Sequence, residues 1–296
     1  MIRPRNAFMV LTTACDKRAE CEYCFYNVEP ARVTRDRLDT ALITVLLKKM
    51  RLWNITNLYL TGGEPLLRED LEYIIHNATQ LGINTFLLSN GRSLDTPRVR
   101  RLESAGLGVF VLSLNDLSIV DRKTVSLVNR FKKTSVSYIY VMTKLNYGRV
   151  PDVIELARAL RTGLVLQPAY IPENKKRLRK RLSLSGLSEF EWSELYSEMR
   201  DWATQLGYDD YLDLIYDHFH ERGLAPQDCG MGTDSFVIDA DARVYPCFHH
   251  LDKPCGDVRS DDFAQILENV GSHAAALRGA ACFGEHCISL HTKFRK

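Results

Sequence analysis

No stretch of the 296-residue chain comes near the roughly 18 consecutive apolar residues that a membrane-crossing helix needs. The first residues, MIRPRNAFMVLTTAC, hold too short an apolar run for a secretory signal, and no small-residue cleavage site follows them. An excess of charge of one sign is missing too. The chain has 39 Lys and Arg against 37 Asp and Glu, a net charge of +2, which gives no general attraction to nucleic acid or to an anionic membrane. RRM, KH and helix-turn-helix signatures are absent, so nucleic acid is not an expected partner. These absences predict a cytoplasmic protein whose thiols stay reduced. Cysteine itself is absent from the whole interval between Cys24 and Cys229, although the chain has eight.

The eight cysteines therefore fall into two groups: Cys15, Cys21 and Cys24 at one end, and Cys229, Cys247, Cys255, Cys282 and Cys287 at the other. Hydrophobic residues make up 45% of the chain, enough at this length for a core that needs no disulfide staples. Reduced cysteines grouped in this way point to metal or redox chemistry.

Between the two groups the pattern alternates. Short apolar runs at Ala7–Leu11, Asn57–Leu60, Thr85–Leu88, Val109–Leu112, Val136–Val141 and Leu164–Leu166 read as strands. Amphipathic stretches at Arg35–Met50, Glu69–Leu81, Pro97–Ala105, Asp116–Lys132 and Pro151–Leu160 read as helices. In the first of these, Leu38, Leu42, Val45 and Leu46 share a face. Strands alternating with helices predict a parallel sheet, either open or curled into a partial barrel. Near residue 170 the character changes. Pro168 and Pro172 interrupt the pattern, the basic run Lys175–Arg181 follows, and Ser188–Leu206 and Tyr211–Arg222 read as helices before the cysteine-rich tail. The predicted division is residues 1–172, a bridging segment 173–227, and a small α+β tail 228–296.

Cys15, Cys21 and Cys24 read C-x5-C-x2-C in a polar loop after the first strand. Thiolates this close can converge on one metal centre. Zinc would want a fourth ligand, and the first histidine in the chain is His76. Three cysteines on a four-iron cluster leave one iron open for chemistry. Unligated cysteines and a zinc site completed from a distance are the alternatives. After the second strand comes Thr61-Gly62-Gly63-Glu64-Pro65. Two glycines at a strand's C-terminal end let main chain approach a ligand, the end at which parallel sheets and barrels bind. Glu64 can hold either the turn or the ligand.

Together these two motifs resemble the radical S-adenosylmethionine (radical SAM) superfamily, which carries a three-cysteine motif, most often C-x3-C-x2-C, after the first strand and GGEP after the second. The five-residue gap here is longer than usual. The resemblance implies a partial (β/α)6 TIM barrel, a [4Fe-4S] cluster on Cys15, Cys21 and Cys24, and S-adenosyl-L-methionine on the open iron. It also implies reductive cleavage to a 5′-deoxyadenosyl radical and an external electron donor such as flavodoxin or ferredoxin. Tyr23 matches the aromatic beside the adenine, or else anchors the loop. Gly62, Gly63 and Glu64 match the motif that meets the amine of S-adenosylmethionine. Ser89 and Asn90 match polar positions that contact it, or else cap a turn. Ser113 ends the fourth strand in SLND, where relatives read SLD, so Asn115 departs from the pattern. Gln167 ends the sixth strand and either faces the pocket or closes a turn.

In the tail, Ser235–Ile238 and Val244–Tyr245 flank a polar turn and read as a hairpin, with Cys229 before it and Cys247 after it. A helix over Asp261–Ala275 precedes Cys282 and Cys287. Four thiolates so arranged can hold either a cluster or zinc. The order of elements resembles twitch and SPASM auxiliary-cluster domains, with Ala242–Arg243 where glycine is common. That resemblance implies one auxiliary [4Fe-4S] cluster on Cys229, Cys247, Cys282 and Cys287. Cys255 is either an alternative ligand or an unbound thiol, and His249, His250 and His286 lie nearby. The resembling families often modify ribosomally made peptides, and a sugar-like alcohol or a cofactor precursor is the other substrate class. The first barrel strand starts at once, so leader recognition would fall to a separate protein. The basic run Lys175–Arg181 can bind an acidic peptide, a phosphate or RNA, or can simply be a solvated face. A non-catalytic zinc-binding module is the reading furthest from these.

Overall fold

The computed structural model describes residues 2–30, 35–114, 122–172, 174–220 and 229–279. Six strands, β1 (Asn6–Val10), β2 (Asn57–Thr61), β3 (Asn84–Ser89), β4 (Val109–Leu114), β5 (Ser135–Met142) and β6 (Gly163–Pro168), lie side by side in chain order and all parallel. The expected alternation and the α/β class hold. β2 to β6 run slightly past their predicted bounds, and β1 starts and ends one residue earlier than predicted. The polar residues Asn6, Thr61, Asn84 and Ser89 join the ladder although they break the apolar run.

Successive side chains point to opposite faces. One face, with Met9, Leu58, Leu60, Leu87, Phe110 and Tyr140 fully buried, lies under the helices. On the other face Phe8, Tyr59 and Phe86 stand in register across three strands, with ring centroids 4.5 Å apart at each step. This face is concave and half-buried.

The connecting helices are α1 (Phe25–Val28), α2 (Thr40–Leu52), α3 (Leu71–Gln80), α4 (Thr96–Ser104), α5 (Arg122–Val128) and α6 (Val150–Leu160). The predicted helix over Arg35–Met50 begins later than expected. The Asp39 carboxylate accepts from the Leu42 N–H at 2.8 Å and caps the first turn there, while Arg37 is tied to the tail through its N–H and the Ala240 carbonyl at 2.7 Å. With that start, Ile43, Leu46, Leu47 and Met50 form the buried stripe, and Val45 is 49% exposed rather than on the apolar face. Each of the four contributes about 1.5–3 kcal/mol of apolar burial. The start of the helix predicted over Asp116–Lys132 lies outside the described residues, and its described part ends at Val128.

The bridging segment folds as α7 (Lys176–Leu182), α8 (Glu189–Leu206) and α9 (Asp209–His220). α8 starts at a capping box: the Ser188 hydroxyl accepts from the Glu191 N–H and the Glu191 carboxylate accepts from the Ser188 N–H. It ends at Gly207, at φ 69°. The tail then returns to the sheet. β7 (Ser235–Ile238) pairs in parallel with β1, and β8 (Arg243–Tyr245) and β9 (Gly256–Asp257) follow antiparallel, giving the order β6-β5-β4-β3-β2-β1-β7-β8-β9. Ala242, in the hairpin turn where glycine is common, holds φ 74°. α10 (Phe263–Gly279) packs on β8 and β9. Among the described residues no helix is long and apolar enough to cross a membrane.

β6 is an edge strand, and α9 covers it. The fully buried Tyr211 hydroxyl donates to the Leu166 carbonyl at 3.0 Å. Tyr211→Phe should lower unfolding stability by about 1–2 kcal/mol in a denaturant titration, because it leaves a buried carbonyl short of a donor. An unchanged midpoint would show that α9 does not hold that edge.

Candidate functional site

The loop that leaves β1 carries all three N-terminal cysteines, each half-buried. The five-residue spacer between Cys15 and Cys21 is taken up by a 3-10 turn, Arg18–Glu20, so the longer spacing is coiled rather than stretched. The Cys24 N–H donates to the Cys21 carbonyl at 2.9 Å. The Asn27 amide donates to the Arg18 and Cys21 carbonyls at 2.6 and 2.8 Å. The Cys15 sulfur accepts from the Lys17 N–H at 3.4 Å. Burial pushes the Cys15 thiol above its usual range, the Lys17 N–H opposes this, and negative charge at Glu64, Asp16 and Cys24 adds to it.

The Gly-Gly turn lies against the start of this loop. The Leu11 N–H donates to the Thr61 carbonyl at 2.8 Å, and the Gly63 and Glu64 N–H groups donate to Thr12 and Ala14 carbonyls at 2.7 Å each. A Cβ on Gly62 would sit 2.3 Å from the Thr12 oxygen, and one on Gly63 would sit 2.0 Å from the Ala14 oxygen. Gly62 also holds φ 142°. Here the glycines are required by main chain approaching main chain. Glu64 is fully buried. One carboxylate oxygen accepts from the Leu66 N–H at 2.9 Å and the Ser89 hydroxyl at 2.7 Å, and the other from the Asn90 N–H at 2.8 Å. Burial raises its carboxyl pKa and these three donors pull it down. Of the two roles open to Glu64, holding the turn is the one its contacts display.

Ser89 is likewise engaged within the protein, since its hydroxyl also accepts from the Gly91 N–H at 3.0 Å. Asn90 reaches the cysteine loop: its amide nitrogen is 2.9 Å from the Asp16 carboxylate and 4.0 Å from the Cys15 sulfur. Tyr23 is half-buried beside Cys24. Ser113 is half-buried at the end of β4, and Gln167, half-buried at the end of β6, donates to the Pro168 carbonyl at 3.2 Å. Asn115 lies outside the described residues.

Several residues that hold the loop carried no sequence motif. Asp36 accepts from the Thr12 hydroxyl and, at 3.0 Å, from the Thr13 N–H. Arg68 donates to the Leu11 and Leu38 carbonyls at 2.9 and 2.8 Å and pairs with Asp70. Arg92 donates to the Asp16 carbonyl at 3.0 Å and pairs with Glu20. Arg18 donates to the Thr13 carbonyl and lies over the Tyr26 ring.

Cys24 also belongs to a second apolar cluster, on the concave side of the sheet. Phe8, Val10, Tyr26, Val237 and Tyr245 form its core, and Cys24, Cys229, Cys247 and Phe248 pack against it. The Cys229 sulfur accepts from the Met231 N–H at 3.4 Å, the same arrangement as at Cys15. Phe248 meets Phe8 of β1 edge-on, with centroids 5.4 Å apart, and the next residue, His249, lies 3.8 Å from the ring of Tyr170, just beyond β6. Two adjacent residues of the tail thus span from the first barrel strand to the last. Cys255 is elsewhere, in the main core at 6% exposure. Its sulfur is 3.5 Å from His273 Nδ1, and burial pushes its thiol up to about 11. Cys282, Cys287 and His286 lie outside the described residues. Among the described residues no three His, Cys, Asp or Glu side chains gather closely enough to hold a single metal ion.

Residues 9–157 match the family model of the radical SAM superfamily, and residues 229–287 match that of the SPASM iron–sulfur cluster-binding domain. The chain is similar to the PqqA peptide cyclases of Gluconobacter oxydans (27% identity, covering 99% of this chain and 84% of that protein) and of Xanthomonas euvesicatoria (24%, covering 96% and 79%). Its fold is that of SuiB of Streptococcus suis bound to precursor peptide SuiA, with a TM-score of 0.69 at 16% identity over 90% of this chain and 65% of that one. It also matches BtrN in complex with AdoMet and 2-DOIA, with a TM-score of 0.53 at 16% identity over 96% and 91%.

These families imply a [4Fe-4S] cluster with S-adenosylmethionine at the first site and an auxiliary iron–sulfur cluster at the second. The residues fit such groups. Three thiols share one braced loop without a histidine, and N–H groups point at the sulfurs of Cys15 and Cys229, as sulfur ligands of clusters require. Gly63→Ala should push the Ala14 carbonyl away and displace Cys15. Iron per chain after anaerobic reconstitution should then fall by about four, with the tail's iron retained. Full iron content would show that the close approach is dispensable.

Proposed function

Because the chain belongs to the radical SAM superfamily, we propose that it cleaves S-adenosylmethionine reductively and uses the radical to oxidise a peptide, in the maturation of a ribosomally made precursor. The observation that carries this reading is the shared apolar cluster. Cys24 of the first cysteine group and Cys229 and Cys247 of the second pack into one wall over the concave face of the sheet. Cys15, Cys21 and Cys24 would hold the first cluster, which would supply the one-electron cleavage of S-adenosylmethionine to methionine and a hydrogen-abstracting 5′-deoxyadenosyl radical, and the auxiliary cluster would take up the electron left as the substrate also releases a proton.

The chain's own residues supply the enclosure. Phe8, Tyr59 and Phe86 give the concave face an apolar floor that excludes water. Asn90 holds the Asp16 side of the cysteine loop, and Glu64 fixes the Gly-Gly turn. Tyr23, Gly62, Gly63, Ser113 and Gln167 line the end of the sheet where S-adenosylmethionine would bind, and Phe248 with His249 closes the gap between the first and last strands. Cys229, Cys247, Cys282 and Cys287 would ligate the auxiliary cluster, and Cys255 lies in the core apart from Cys229 and Cys247.

A peptide substrate is supported by the likeness to proteins named as peptide cyclases and to a structure bound to a precursor peptide. Electrons would come from an external flavodoxin or ferredoxin, and a separate protein would present the leader. A small-molecule alcohol is the second reading, favoured by the coverage of BtrN.

Anaerobic incubation with a precursor peptide, or with a sugar-like alcohol in its place, should give 5′-deoxyadenosine and loss of two hydrogens from the peptide only. Oxidation of the alcohol instead would replace the peptide reading with the second one. In the Cys15→Ala/Cys21→Ala/Cys24→Ala variant, iron should fall from about eight to about four per chain and S-adenosylmethionine cleavage should disappear. Surviving cleavage would refute the catalytic assignment.

A further inference from the structure

The basic run noted in the sequence has a definite place in the fold. α7 presents Lys176, Arg179 and Lys180 along one face, at i, i+3 and i+4. Opposite them stands Lys144, two residues beyond the C-terminal end of β5. Its N–H donates to the Leu182 carbonyl at 2.8 Å, and its ammonium group to the Gly186 carbonyl at 2.5 Å. These four cations, with Ser185 and Gly186, line an open groove of about 520 Å³. The charge of Glu191 is felt at Lys144, and its carboxylate is also engaged within the protein. It accepts from the Ser188 N–H and hydroxyl at 2.7 and 2.8 Å and from the Tyr147 hydroxyl at 2.8 Å. Lys176 and Lys180 have no ion pair among the described residues.

The groove lies on the rim of the barrel. It joins the loop after β5 to the helix after β6, at the end of the sheet that carries the cysteine loop. One residue beyond Lys180, Arg181 pairs with Glu22 between Cys21 and Tyr23 at 2.5 Å. A substrate reaching the concave face passes this rim. The chemistry is specific in kind. The ammonium groups of Lys144, Lys176 and Lys180 in one short groove repel one another unless anions are brought between them. None of the lining residues is aromatic, so bases have no stacking platform there.

We propose that this groove binds an acidic stretch of the peptide substrate, pairing its carboxylates with Lys144, Lys176 and Lys180, so that a segment further along the peptide reaches the concave face. The proposal rests on the peptide reading above and adds the recognition element.

The test is fluorescence anisotropy on the full chain with its clusters reconstituted, using labelled hexaglutamate, hexaglutamine and hexauridylate. Hexaglutamate should bind and weaken steeply with added salt, while hexaglutamine should not bind. Lys176→Glu/Lys180→Glu should reduce hexaglutamate affinity at least tenfold, and Lys176→Gln/Lys180→Gln should reduce it by less. Both pairs are exposed, so the circular dichroism spectrum should stay that of the wild type. Equal hexaglutamate affinity in wild type and the Glu variant would overturn the proposal. Tighter binding of hexauridylate, lost in the same variant, would also overturn it and assign the groove to nucleic acid. Cleavage of S-adenosylmethionine without peptide should match wild type in these variants. Its absence from wild type itself would count against the radical reading and leave the binding result to judge the groove.

Discussion

Two pieces of main chain, Thr12–Ala14 and Gly62–Gly63, approach each other so closely that no side chain fits between them, and the site depends on that approach. The ladder between β1 and β2 continues beyond the sheet through the Gly63 and Glu64 N–H groups, which delivers the chain to Cys15 in a fixed direction. Glu64 locks the arrangement from beneath. A fully buried carboxylate is costly unless its oxygens are satisfied, and three donors from two different loops satisfy it. The end of β3 is thereby bound to the turn after β2, and Asn90 hands the constraint on to Asp16 in the cysteine loop. Pre-organisation of this kind keeps thiols at fixed positions before any iron arrives.

Most of the scaffold was legible in the sequence, because parallel strands buried on the helical side read as short apolar runs and the helices as periodic ones. The boundaries that shifted did so where one polar residue decides. Asp39 starts α2 by capping it, and that start turns Val45 outward. The two motifs at the site were legible as patterns, yet the reason for the glycines was not, since their partner is a carbonyl some fifty residues earlier in the chain. Asp36, Arg68 and Arg92 were not legible at all. Each is a single polar residue without periodicity, and each acts on the main chain of a distant loop. The sequence left Cys255 undecided because spacing treats all thiols alike. Burial separates it, placing it in the core while Cys229 and Cys247 share a wall with Cys24.

The tail was expected as a small α+β unit beyond bridging helices, and residues 229–287 match a family model of their own. Its first strand, β7, joins the sheet beside β1, and Phe248 and His249 cross from β1 to the loop after β6. A six-stranded half barrel has an open side, and here the tail fills it. Cys24, Cys229 and Cys247 therefore pack over one sheet, and changes in the tail are felt on the concave face directly.

The pairing of Asn6 with Ser235 has a consequence for how the molecule is made. Of the described strands β1 is synthesised first, yet its second edge has no partner until β7 exists. Contacts of such long sequence separation close late and slow folding, and an unpaired strand edge is a template for mispairing while it waits. The strand that leads into Cys15 is thus the one with the longest provisional life on the way to the native state. During that interval its cysteines stand beside an unfinished wall, which ties the timing of cluster insertion to the arrival of β7.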